Sequence, residues 1–257
     1  MDRLLRERTV LVTGAGSGIG AATASAIAAS GGVVAVNDLD EAAAAQTCQR
    51  INDAGGHAWC VPGDVATPDG AEHVIDEAVR SVGTLTGLVN NVGVARGGAL
   101  ATLAPAEWDH IMRIDCSSAL YMSQRAYPHL LESGGAIVNI SSLCAAFPAP
   151  GAGAYNAAKA ALITLTQQSA LEWGPQGVRV NAIAPGIVSG TNFSATSNNA
   201  ELAERRSAVI PLRRTGSAED IAPVCLFLLS EMSRYLTGQV LTVDGGMGLA
   251  LQTLIPS

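Results

Sequence analysis

The reading of the fold turns on VLVTGAGSGIG, residues 10–20. Val10, Leu11 and Val12 suit a short buried strand, and glycines at 14, 18 and 20 let the chain turn sharply straight afterwards. Helical composition then runs from Ile19 to Ala29. A strand that enters a helix through glycines leaves the first N–H groups of that helix pointing into the turn, where they form a site for an anion.

Outward from this unit, apolar or β-branched runs recur at 10–12, 33–36, 58–61, 88–89, 136–140, 178–183 and 239–243. Helical stretches lie between them at 19–29, 41–52, 69–81, 107–131, 154–173 and 218–229. Glycines 31, 55, 83, 134 and 174 end several of these, as helix C-caps do. Strict alternation of this kind predicts βαβ units, hence a parallel sheet covered on both faces. With 48% hydrophobic residues and only 4% aromatics, the core must be built from Ala, Val, Ile and Leu. Nothing in the composition divides the 257 residues, so one domain over 1–257 is expected. The polar stretch at about 187–211 reads as an insertion closing over a site.

Charge and cysteine usage exclude several classes. Fifteen basic against 22 acidic residues give a net charge of −7 and no basic stripe, which argues against nucleic acid. Five cysteines show no CxxC or zinc spacing, so free thiols in a reducing compartment and no metal are expected. The charged N-terminus is unlike a signal peptide, and the apolar run at 224–229 is too short to span a bilayer. A cytoplasmic protein with no membrane partner is the expectation.

The strand ends carry the candidate ligand contacts. Asp38 follows the second strand, about 20 residues beyond the glycines, where a carboxylate accepts hydrogen bonds from ribose hydroxyls. Asp40 is better placed to cap the following helix, which leaves Asp38 free for that task. The carboxylate repels a 2′-phosphate, and no Lys or Arg occurs between Gly14 and Asp40, so NAD(H) is expected over NADP(H). Asp64-Val65 and Asn90-Asn91-Val92-Gly93 end the third and fourth strands, and open α/β sheets bind ligands at such ends. The fifth strand ends in NISS with Ser142; thirteen residues later comes Tyr155, with Lys159 one helical turn beyond it.

Taken together, TGxxxGxG at 13–20, Asp38, Asp64-Val65, NNxG at 90–93, Ser142, YxxxK at 155–159, Pro185-Gly186 and VDGG at 243–246 resemble the short-chain dehydrogenases/reductases of about 250 residues. The resemblance covers nearly the whole chain. It implies a Rossmann-type doubly wound parallel β-sheet of about seven strands, and hydride transfer between a nicotinamide and a carbonyl or alcohol carbon. It implies Tyr155 as general acid/base, Ser142 orienting the substrate oxygen, and Lys159 holding the nicotinamide ribose and lowering the tyrosine pKa. Lowering a phenol by ~3 units takes ~4 kcal/mol, about what one ammonium at ~4 Å supplies at an effective dielectric of ~20. Cofactor contacts are expected from Gly14, Ser17, Gly18, Ile19, Gly20, Asp38, Leu39, Asp64, Val65, Asn91, Gly93, Tyr155, Lys159, Pro185, Gly186 and Val188.

Two positions depart from the family pattern. Asp115 stands where the family usually has an Asn of the proton relay, and its carboxylate would partly cancel the effect of Lys159 on Tyr155. Gly190 stands where a carboxamide-binding threonine is usual, with Thr191 next to it. Leu143 and Phe147 are expected to wall the substrate pocket, with Arg96, Arg205 and Arg206 as candidates for meeting a carboxylate. The family resemblance and the apolar tail at 247–255 suggest a homotetramer, with a homodimer as alternative. Three functions are in contention: an NAD-dependent dehydrogenase of a secondary alcohol, a 3-oxoacyl-thioester reductase, and a non-catalytic dinucleotide sensor.

Overall fold

The computed structural model describes residues 4–190 and 200–254. Seven strands form one parallel sheet in the order β3-β2-β1-β4-β5-β6-β7, with β1 at Thr9–Val12, β2 at Val33–Val36, β3 at His57–Cys60, β4 at Gly87–Asn90, β5 at Ala136–Ile140, β6 at Arg179–Pro185 and β7 at Val240–Val243. The chain winds outward through β1, β2 and β3, then returns to place β4 against the other side of β1. A reversal of this kind opens a crevice at the carboxyl ends of β1 and β4, because the helices on the two sides leave in opposite directions.

Side chains on the central strand divide between the two faces. Val10 and Val12 enter one core with α1 (Gly18–Ala29), α2 (Glu41–Asp53) and α8 (Ala218–Leu229). Leu11 enters the other with α3 (Pro68–Val82) and α5 (Ser118–Ser133). Because both faces are covered, β4 and β5 are buried along their whole length and read as continuous apolar runs, not alternating ones.

The expected helix over 107–131 is interrupted. α4 (Pro105–Met112) passes through a π-helical turn, Arg113–Ser117, before α5 begins. Its wider ladder re-aims the side chains it carries, Asp115 among them. The remaining long helix is α6, Tyr155–Trp173, and the insertion carries a short helix, α7, at Ala200–Val209.

A buried polar chain fixes α6 against the sheet. Asn90 Nδ2 donates to Asn139 Oδ1 at 2.8 Å, Asn139 Nδ2 donates to Thr166 Oγ1 at 2.8 Å, and Ser141 Oγ donates to the Lys159 carbonyl at 2.9 Å. A buried network of this sort favours a single packing, since any shift leaves more of its amides without partners.

Candidate active site

The glycine turn is shaped for close approach. Gly14 and Gly18 take φ of +61° and +54°, and a Cβ on Gly20 would meet the Gly14 carbonyl at 2.3 Å. α1 therefore packs directly on the turn, and its N-cap, Ser17, makes no side-chain capping hydrogen bond. With no acidic residue in the first turn either, the helix N-terminus is open to an anion.

A groove of about 370 Å³ extends from this turn, lined among others by Gly14, Ser17, Gly18, Ile19, Asp38, Leu39, Asp64, Val65, Asn91 and Gly93. Asp38 is not idle, contrary to the expectation that it is left free: its carboxylate accepts the Gly16 N–H at 2.9 Å and the Asp40 N–H at 3.0 Å. Asp40 caps α2 as expected, accepting from Ala42 and Ala43. The contacts on Asp38 hold its carboxylate at the groove wall and still leave lone pairs for a ligand. Asn91 braces the glycine turn, donating to the carbonyls of Thr13 and Gly14 at 3.0 Å each, whereas Asn90 points into the core. An open helix N-terminus, a carboxylate one strand away and a turn that excludes Cβ atoms together fit a dinucleotide, the pyrophosphate at α1 and a ribose at Asp38.

Beyond Asn91 the groove meets a second cavity of about 260 Å³, where Ser142, Tyr155 and Lys159 come together with Ile19, Pro185, Gly186 and Val188. β5 presents Ser142, whose hydroxyl accepts the Cys144 N–H at 3.1 Å and hydrogen-bonds Tyr155. α6 presents the other two on one face, the Lys159 Nζ lying 5.8 Å from the centre of the Tyr155 ring.

Asp115 and Lys159 form a buried pair. Lys159 Nζ lies 3.2 Å from Asp115 Oδ1 and also donates to the Ile140 carbonyl at 3.2 Å, while Asp115 accepts the Val94 N–H at 3.1 Å. Gly93 covers the pair, and a Cβ there would meet Asp115 Oδ1 at 2.6 Å and Lys159 Nζ at 2.9 Å. Burial raises the Asp115 carboxyl above its ordinary value, opposed by the Lys159 ammonium and the Val94 N–H.

Tyr155 is pushed well up. Burial is the main cause, the hydrogen bond with Ser142 pulls the other way, and repulsion from Asp115 and Cys144 adds to the rise. The rise runs opposite to the lowering expected from Lys159, and burial is its main cause.

Several expected substrate contacts lie elsewhere. Arg96 pairs with Glu107 at 3.6 Å and is not among the residues lining the catalytic cavity. Leu143 and Phe147 do not line it either; a Cβ on Gly248 would meet both, which places them under the C-terminal turn. Thr191 lies outside the described residues. Conversely, Arg206 of α7 and Cys144 line the cavity, and sequence reasoning did not single out Cys144 or prefer Arg206 over the other arginines. No periodicity in α7 distinguishes its pocket face, so no signal in the sequence would have done so.

The chain is similar to known proteins over nearly its whole length. A family model described as enoyl-(acyl carrier protein) reductase matches residues 14–248. A 2-(S)-hydroxypropyl-CoM dehydrogenase of Xanthobacter autotrophicus is 37% identical over 252 residues, 96% of this chain and 99% of that protein. A 3-oxoacyl-[acyl-carrier-protein] reductase of Staphylococcus aureus is 37% identical over 242 residues, 93% of this chain and 98% of that one. Among solved structures, a putative short-chain alcohol dehydrogenase from Sinorhizobium meliloti superposes with a TM-score of 0.90 at 34% identity, covering 95% of this chain and 97% of its own.

Proposed function

The chain belongs to the short-chain dehydrogenase/reductase family, oxidoreductases that act on CH–OH groups with a nicotinamide dinucleotide, and we propose that it interconverts a secondary alcohol and its ketone using NAD(H) in preference to NADP(H). The observation that carries this reading is the convergence of Ser142, Tyr155 and Lys159 on one cavity continuous with the dinucleotide groove. The nicotinamide, when bound, accepts or supplies the hydride. In oxidation the alcohol O–H proton passes to Tyr155 as the carbinol C–H leaves as hydride; in reduction Tyr155 returns the proton. Ser142 hydrogen-bonds the substrate oxygen, and Lys159, held by Asp115 and the Ile140 carbonyl, stands beside the phenol.

Asp38 supports the preference for NAD(H), since a carboxylate at the ribose wall repels a 2′-phosphate. Arg113, the one lysine or arginine among the described residues lining the groove, lies in the turn after α4 beside His110 and not on the Asp38 loop. Fluorescence titration with NADH and NADPH checks this, and tighter binding of NADPH overturns it. Initial rates with a panel of secondary alcohols, repeated with Tyr155→Phe, check the reaction. A loss of at least about a hundredfold is expected, the scale of general acid–base catalysis; undiminished turnover removes Tyr155 from the mechanism.

A 3-oxoacyl-thioester reductase is the second reading, favoured by the relatives of that activity at 37% identity. Preferred reduction of acetoacetyl thioesters with NADPH would establish it in place of the first. The intact Ser142, Tyr155 and Lys159 set weighs against a non-catalytic sensor. For assembly we infer a homotetramer, with a homodimer as alternative, supported by apolar side chains left in solvent: Leu171 on α6 is 79% exposed and Leu249 is 83% exposed. A cytoplasmic location is supported by five cysteines that are all free thiols.

A further inference from the structure

We propose that Arg206 sets the substrate class: the secondary alcohol or ketone carries an anionic group that this guanidinium binds. The inference rests on the dehydrogenase reading above and adds to it what lies on the far side of the reacting carbon.

The catalytic cavity is lined mainly by apolar and small polar residues, and among the described ones there is no Asp or Glu. Its two cations are Lys159 and Arg206. Lys159 is committed to Asp115 and to the Ile140 carbonyl. Arg206 makes no hydrogen bond or ion pair to any described residue. Arg96 pairs with Glu107, Arg125 with Glu72 and Arg214 with Asp220; Arg205 has no ion pair among the described residues either, but it is exposed and keeps its water.

The helix it stands on explains the isolation. Residues three and four away from Arg206 on α7 are Leu202, Ala203 and Val209, none of them acidic. Arg205, about 100° around the helix, has Glu201 four residues before it and is exposed, while Arg206 is half-buried. One arginine of the pair thus faces solvent, and the other lines the cavity with no carboxylate beside it among the described residues.

A half-buried guanidinium has lost part of its hydration, and without a partner that loss is uncompensated. Its planar fork of donors fits a carboxylate, sulfonate or phosphonate oxygen pair, and binding one restores what was lost. Arg96, the alternative cation suggested by the sequence, lies 3.6 Å from Glu107 and is not among the residues lining the cavity. No other cation lining the cavity is available among the described residues.

The test compares kcat/KM for 3-hydroxybutyrate, 2-hydroxypropane-1-sulfonate and 2-hydroxypropylphosphonate with that for 4-methyl-2-pentanol, a neutral molecule of nearly the same shape as the first. The best anion should lead the neutral alcohol by about tenfold or more, and that ratio should fall by about ten- to a hundredfold in Arg206→Ala but only partly in Arg206→Lys. The order among the three anions identifies the headgroup. A ratio that is the same in Arg206→Ala overturns the assignment. Calorimetric titration with the same three anions reads binding without turnover: binding that weakens in Arg206→Ala supports the assignment, and absent or equal binding in both chains overturns it. Failure of every alcohol to react with either NAD or NADP defeats the dehydrogenase reading itself and leaves the calorimetry to decide Arg206.

Discussion

Asp115 is the residue with the largest consequence for the chemistry. An ammonium alone at ~4 Å from a phenol would be worth ~4 kcal/mol, or ~3 units, in favour of phenolate. Here a carboxylate stands 3.2 Å from that ammonium, so the phenol feels a dipole and not a charge. The charged and titratable groups around Asp115 are Lys159 from α6, His110 from α4, and the neighbouring Cys116 and Tyr155. On the proposed mechanism the sign follows directly: oxidation uses Tyr155 as base and rises with pH through its pKa, while reduction uses the protonated phenol and falls over the same range. A raised Tyr155 therefore places the oxidation limb at alkaline pH. Replacing Asp115 with Asn frees the Lys159 charge to act on the phenol, and the midpoint of the oxidation limb should move down by about one unit. A pH profile of kcat for Asp115→Asn checks this, and a limb that stays put or moves up refutes it; a merely structural role would lower the rate at every pH alike.

At the scale of elements, the meeting of β1, its glycine turn and α1 does one job, which is to bring backbone N–H groups to a ligand. Its tolerance is small, because a Cβ at Gly20 would lie 2.3 Å from the Gly14 carbonyl and 2.6 Å from Asn91 Nδ2. Asn91 Nδ2 ends a side chain, but the Gly14 carbonyl and the Ala15 Cα at 2.9 Å are backbone, so the turn itself must open. Gly20→Ala should weaken NADH binding by at least about tenfold, the equivalent of ~1.4 kcal/mol. The same titration that tests Asp38 measures it, and NADH bound equally well would show that α1 need not approach the turn so closely. The π-helical turn at Arg113–Ser117 plays a comparable part for Asp115, yet neither its existence nor its place is visible in RIDCS. A five-residue change in the hydrogen-bond ladder leaves almost no trace in hydrophobic period.

For the whole molecule, the sheet order places most site residues at the carboxyl ends of β1 to β6 or at the start of α1 and α6, with Asp115 in the π-helical turn and Arg206 on α7 as the exceptions. Apolar surface remains outside that frame. Leu171, Leu249 and Met232 are 79%, 83% and 68% exposed, an arrangement suited to further copies of the chain. Light scattering at micromolar concentration should give the mass of four chains, and the mass of one chain would rule the tetramer out. The same global view accounts for the unexpected placement of Leu143 and Phe147. They follow Ser142 in sequence, but the C-terminal turn at Gly248 comes back over them and leaves the catalytic cavity to Cys144, Val188 and Arg206.

The alternation of strand and helix, the parallel sheet and the order of the motifs were legible in the sequence because each rests on local chemistry: apolar runs, glycine turns, helix caps and fixed spacings. Ser142, Tyr155, Lys159, Asp38 and the glycines at 14, 18 and 20 belong to that category. Only the tertiary structure decided which charges meet. Asp115 and Lys159 are 44 residues apart and adjacent in space, Arg96 turned out to be paired with Glu107, and Arg206 lined the cavity with no partner among the described residues. Spacing along a chain determines which side chains can share a helix face, whereas the field at a phenol depends on distances that are set only when the elements pack.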